Sequence, residues 1–145
     1  MKPDGPMQFS SDNWAGAHPK VAAHLSAHAG GFEPAYGNGV LDAQVGQRFN
    51  EIFEREVSVF FVGTGTAANS LSLASMCQSY HSIICHQTAH VETDECGAPE
   101  FFSNGTKVLL ATGEHGKLTP ESIERIVTKR ADVHYPKARA VSLTQ

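Results

Sequence analysis

Apolar residues recur along this chain in two periods, and the switches between them mark out its elements. After a Pro-rich leader, Ala17-His18-Pro19 opens a helical pattern with Val21, Ala22, Leu25 and Ala29 on one stripe, stopped by Gly30-Gly31. Phe32 to Gly39 has loop composition, with Pro34, Gly37, Asn38 and Gly39. Leu41, Val45, Phe49, Ile52 and Phe53 then recur at spacings of three and four, which predicts a second amphipathic helix over about 40–54. From Val57 the period changes. Val57, Val59, Phe60, Phe61 and Val62 form a β-branched and aromatic run closed by Gly63, the pattern of a buried strand.

Gly63-Thr64-Gly65-Thr66 leads from that run into an Ala-rich helix ending near Met76. Ile83 to His86 reads as a short strand, Val91–Ala98 as a brief helix, and Lys107 to Ala111 as another strand. Past a Gly-containing loop from Gly113 to Lys117, Thr119 is a good N-cap, Pro120 suits the first helical position and Glu121 favours the positive helix end. That helix is expected to bury Ile123, Ile126 and Val127. Ala138 to Thr144 gives the last strand, with Val141 and Leu143 as its core residues. Strands alternating with helices across short loops indicate an α/β fold, a mostly parallel sheet flanked by helices on both faces. Because the chain stops at Gln145 directly after a strand, it reads as a fragment of a larger domain.

Composition narrows the function classes. Of 145 residues, 41% are hydrophobic and 18% charged, an ordinary globular balance. Eleven basic against fifteen acidic residues give a net charge of −4, with no basic field to attract phosphate backbones, so nucleic acid is excluded as a partner. The N-terminus MKPDGPMQFSSDNW lacks the apolar stretch of a signal peptide, and no run approaches the ~18 apolar residues of a membrane span, so a cytoplasmic location is expected. Cys77, Cys85 and Cys96 lack CxxC spacing and read as reduced, small buried hydrophobes.

Three constellations could carry chemistry. Gly63-Thr64-Gly65-Thr66 places glycines and unpaired helical N–H groups between an apolar run and a helix, where the dipole favours an anion such as phosphate. It matches neither GxGxxG nor GxxxxGK[ST], and a tight turn with a Thr cap is the simpler alternative. His81, His86 and His90, followed by Glu92, Asp94 and Glu95, carry the donor types of a zinc site. The strand and loop separating His86 from His90 argue against one, and no metal is assigned. Both histidines instead sit where a sheet's carboxyl end would face a ligand. Asp132-Val133-His134-Tyr135-Pro136 precedes the last strand, and Ser10-Ser11-Asp12-Asn13 reads as turn or capping chemistry. No GxSxG elbow is present.

Taken in order, these pieces resemble the threonine aldolases of the pyridoxal-phosphate-dependent β-eliminating lyase family, in closeness the low-specificity bacterial branch. The family's early Ser-Asp-Thr is matched by Ser11-Asp12-Asn13, its Tyr-Gly by Tyr36-Gly37, and its Thr-Gly-Thr-x-Ala-Asn by Thr64-Gly65-Thr66-Ala67-Ala68-Asn69. Ala89-His90 with Glu95 and Gly97 matches its Ala-His-x-x-x-x-Glu-x-Gly, and Asp132-Val133-His134 its Asp-Ile-His. Two departures matter: Asn13 stands where the family has Thr, and the family's later lysine, aspartate and arginine have no counterpart within the chain.

The resemblance implies an aspartate-aminotransferase-like (fold type I) large domain. Residues 35–145 would form its N-terminal portion, after an N-terminal segment of residues 1–34 with a short helix. It also implies pyridoxal 5'-phosphate as cofactor, held by Gly65 and Thr66, with His90 stacked on its ring. His134 would face the substrate's hydroxyl and Ser11 its carboxylate. His90, His134 or a water held by Glu95 would be the catalytic base. His90 and His134 should approach one cleft because each lies at the edge of the same predicted sheet, with the Tyr135–Ala138 connection folding back toward it. The implied reaction is retro-aldol cleavage of threonine or a related β-hydroxy-α-amino acid to glycine and an aldehyde, in a homodimer or homotetramer. The family's Schiff-base lysine, ring-nitrogen aspartate and substrate arginine lie beyond the point where this chain ends, so the segment alone is expected to be inactive. Another lyase or transferase of the same fold, or a non-catalytic assembly module, is the alternative.

Overall fold

The computed structural model describes Ser11 and residues 14–144, which divide into two compact units meeting at Val59 and Phe60. The unit up to Val59 holds α1 (Pro19–His28) and α2 (Val40–Phe53). Proline at the first position of α1 needs no hydrogen-bond partner, and the His18 ring accepts from the Lys20 N–H at 3.2 Å. The helix stops before Gly31, whose φ of +105° a side chain would strain. At the start of α2, Asp42 Oδ2 accepts the Gly39 N–H at 3.0 Å, and the helix ends at Glu54 in the left-handed region. Both helices form as the periodicity predicts. Their apolar stripes, however, are not covered: neither helix has a buried residue, and Leu25 is 65% exposed.

From Phe60 onward the order is α3 (Gly65–Met76), β1 (His81–His86), α4 (His90–Thr93), α5 (Ala98–Phe102), β2 (Lys107–Ala111), α6 (Pro120–Val127) and β3 (Lys137–Val141). A 3-10 turn, Glu114–Gly116, lies between β2 and α6. The strands form one parallel sheet in the order β2-β1-β3. β1 is central and buried from Ser82 to His86, and its side chains alternate between two cores. Ile83 and Cys85 join Leu73, Cys77, Ala89, Val91 and Ala140 on one face. Ile84 packs with Leu109 and Ala111 on the other, against Leu118, Ile123 and Ile126. Helices thus cover both faces of the sheet, as the alternation of elements required.

Four expectations are corrected. Val57–Val62 forms no strand: it joins none of the three strands in their ladder, the Val57 N–H is taken by Asn50 Oδ1 at 2.8 Å instead, and Phe60 is 84% exposed. β3 closes at Val141, short of Leu143, and its buried residue is Ala140: the side chains alternate along the strand, so with Ala140 turned into one core Val141 faces the other way and stays 43% exposed, with Leu143 at 65% beyond the strand. Val127, at the end of α6, points away from the core formed by Ile123 and Ile126. The expected helix over 91–98 is two short helices, separated where Cys96 and Gly97 both take positive φ; that bend leaves Cys96 exposed, unlike the buried Cys77 and Cys85. Among the described residues, no helix is long and apolar enough to cross a membrane.

Candidate functional site

The turn into α3 is open. Thr64 caps the helix by accepting the Ala67 N–H at 3.1 Å through its hydroxyl, so Ala67 has no amide left for a ligand. Gly65 and Thr66 are the first two helical residues, and their N–H groups have no carbonyl a turn earlier to bind. A Cβ built on Gly65 would meet nothing within 4 Å. The cap expected of a plain turn and the free amides expected of an anion site are therefore both present, and they are divided among successive residues. The apolar run before the turn is not a strand, so α3 alone positions it.

One turn into α3, Asn69 donates through Nδ2 to Glu95 Oε1 at 2.6 Å. The same oxygen lies 2.8 Å from His90 Nδ1. The Glu95 side chain is fully buried while that of His90 is 55% exposed. With the Nδ1 hydrogen held by the carboxylate, His90 presents Nε2 and ring surface outward. Glu95 Oε2 is also buried and has no partner among the described residues, an acceptor left over inside the site. Asn69 stands one helical turn, about 6 Å of rise, beyond Gly65. The open amides and the His90 ring are thus joined through a single buried carboxylate.

The rest of the histidine group goes elsewhere. His81 Nδ1 accepts the Gln78 N–H at 3.0 Å. His86 is buried against Thr88 and the Gly113 carbonyl. Among the described residues, no three His, Cys, Asp or Glu side chains converge as a metal site. Cys85, beneath this edge of the sheet, has its thiol pushed up to about 11 by burial, with the Glu92 and Glu100 carboxylates adding to it. It is a poor nucleophile.

His90 and His134 are not brought to one cleft. β1 and β3 run parallel with His81 opposite Lys137, and His134 precedes Lys137. His134 shares an open depression of about 520 Å³ with Tyr80, His81 and Tyr135 at the amino edge of the sheet. His90 follows the carboxyl edge, and the six residues of β1 put roughly 17 Å between those edges. The connection into β3 is too short to fold back across that length: Arg130 holds Asp132 through two 2.8 Å bonds, and Asp132 accepts the His134 N–H. That guanidinium hydrogen bond also keeps the Asp132 carboxyl below its ordinary value. Ser11 belongs to the first unit, where its carbonyl accepts the Trp14 N–H in a turn; Asp12 and Asn13 lie outside the described residues. The sequence reading gave no role to Asn69, although its place one turn after Gly65-Thr66 in an otherwise Ala- and Ser-rich helix is a visible signal.

Comparison with known proteins identifies the family. The chain is 57% identical over 142 residues to a low specificity L-threonine aldolase of Pseudomonas aeruginosa, and 55% identical to one from another Pseudomonas. Each match covers 98% of this chain and 41% of the relative, so the chain spans about two fifths of their length. A solved threonine aldolase from Leishmania major superposes with a TM-score of 0.85 at 27% identity, over 94% of this chain and 40% of that one. The family model for β-eliminating lyases matches residues 8–145. The chain belongs to the β-eliminating lyase family.

Proposed function

We propose that this chain forms the phosphate- and ring-binding part of a pyridoxal-phosphate-dependent aldolase, which cleaves threonine or related β-hydroxy-α-amino acids to glycine and an aldehyde. The observation that carries the reading is the shared Glu95 oxygen, which ties the open start of α3 to the half-exposed His90 ring. The residues fit the cofactor: the Gly65 and Thr66 amides suit a phosphate, and His90 offers an imidazole face to a pyridine ring. Bound there, the cofactor supplies an electron sink for the pair released when Cα–Cβ breaks.

The protein's own part is to hold and to move a proton. Gly65 and Thr66 fix the phosphate, and α3 places its positive end behind them. Glu95 keeps the hydrogen of His90 on Nδ1, so Nε2 is free to accept the proton of the substrate's β-hydroxyl. The unpartnered Glu95 Oε2 favours a second route, through a water held there. His134 takes no part in this chain's own cofactor site, and Ser11 enters the proposal as a donor to the substrate carboxylate. The lysine that carries the cofactor is assigned to sequence the relatives have beyond this segment. A cytoplasmic homodimer or homotetramer completes the proposal. The test is product analysis of the complete enzyme with L-threonine. Acetaldehyde and glycine in equal amounts are expected, whereas ammonia release would reassign the site to another lyase.

A further inference from the structure

His86 plays no part in the chemistry above, yet it is the most tightly engaged imidazole in the chain. It ends β1, is 4% exposed, and has both ring nitrogens occupied. The Thr88 N–H reaches Nδ1 at 3.1 Å, so Nδ1 bears a lone pair; the Thr88 hydroxyl lies 2.8 Å from the same atom. Nε2 must then carry the hydrogen, and it faces the Gly113 carbonyl at 3.1 Å. These contacts fix one neutral tautomer.

The two partners belong to different segments. Thr88 sits in the turn that delivers His90: the Ala89 N–H returns to the His86 carbonyl at 2.9 Å, and Ala89 is the N-cap of α4, whose first residue is His90. Gly113 lies past β2, in a loop folded back so tightly that a Cβ there would run into the Lys117 carbonyl oxygen. The Thr88 hydroxyl rests against the same loop, 3.4 Å from where a Cβ of Gly116 would stand. The buried ring is therefore a clasp between the loop after β2 and the turn before His90. Glu95 orients the His90 ring from one side, and His86 fixes the backbone that carries it from the other.

We infer that His86 is a positioning residue for His90, acting through the Thr88–Ala89 turn as a neutral imidazole with its hydrogen on Nε2. The inference rests on the assignment of His90 to the cofactor ring. Its test is a double-mutant cycle in the complete enzyme, read by pyridoxal phosphate affinity and by kcat. Phenylalanine fills the space without either hydrogen bond, so His86→Phe is expected to lower both about tenfold in the wild-type background and to change neither by more than about twofold once His90→Ala is present. His86→Gln, which restores a donor toward Gly113, is expected to recover most of the loss. Equal losses in both backgrounds would overturn the inference, since His86 would then be acting on the fold and not through His90. If His90→Ala alone left affinity and kcat at wild-type values, the reading of His90 would fail, and this inference with it. Nitrogen-15 NMR of the wild-type protein needs no variant: hydrogen on Nε2 alone is expected for His86, and hydrogen on Nδ1 would overturn the clasp.

Discussion

The two helices of the first unit and the central strand of the second begin from equally clear apolar patterns and end in opposite environments. β1 is buried along five of its six residues, while α1 and α2 bury none. Periodicity states which side chains need cover. It does not state whether the same stretch of chain supplies that cover. β1 is covered because β2 and β3 pair with its two edges and helices close its two faces. The aromatic run Phe60-Phe61 has a strand composition without a paired edge, and it stays in solvent.

The largest expected contrast is between matched truncations in the two regions. Ile84 is wholly buried between Leu109 and Ala111, so Ile84→Ala should cost about 2–5 kcal/mol in denaturant unfolding. Leu25→Ala on α1 should change stability by less than about 0.5 kcal/mol. A cost at Leu25 equal to that at Ile84 would show that α1 is covered in the working protein.

The second contrast is one of pH. Burial raises the Cys85 thiol to about 11, from an ordinary 9.0, so the folded state holds this proton more tightly than the unfolded state does. Its contribution is complete below pH 9 and is lost as pH rises toward 11, on the order of 2 kcal/mol in all. Unfolding measured across that window should show an alkaline loss that Cys85→Ala removes; an unchanged slope in the variant would place the loss in other groups.

Much of the second unit was legible in advance. Thr119-Pro120 marked the start of α6, and the short apolar runs marked β1 and β2, because those signals are local. The start of α3 was legible too, down to the opposed demands of cap and ligand, although which amides stay free depended on Thr64 reaching Ala67. The pairing of His90 with Glu95 lay within one quoted motif. The Asn69 contact and the His86 clasp were not legible, since they join residues 26 and 27 positions apart and depend on how α3 and the post-β2 loop pack. For His134 the parallel sheet read from the sequence already set it at the amino edge of β3; its approach to His90 required the connection into β3 to fold back, and the Arg130–Asp132–His134 contacts that hold this connection at the amino edge were not legible.

A smaller contrast separates two glycines. Gly113→Ala must move the Lys117 carbonyl and should destabilise by about 1–3 kcal/mol. Gly46→Ala lies inside α2 with nothing within 4 Å of the new methyl, and should stabilise by about 0.5–1 kcal/mol. Thermal unfolding of the pair checks whether close approach or helix propensity governs each site.

The central claim is that the start of α3 holds the cofactor's phosphate, and Gly65→Asp tests it most directly. The new side chain has open space and suits a helix N-terminus, so the fold is preserved while a negative charge occupies the phosphate's place. Binding of pyridoxal phosphate and of pyridoxal to the complete protein should be compared in wild type and variant. The account predicts a strong wild-type preference for the phosphorylated form that disappears in Gly65→Asp, with pyridoxal binding little changed. An undiminished preference in the variant would place the phosphate elsewhere and contradict the account.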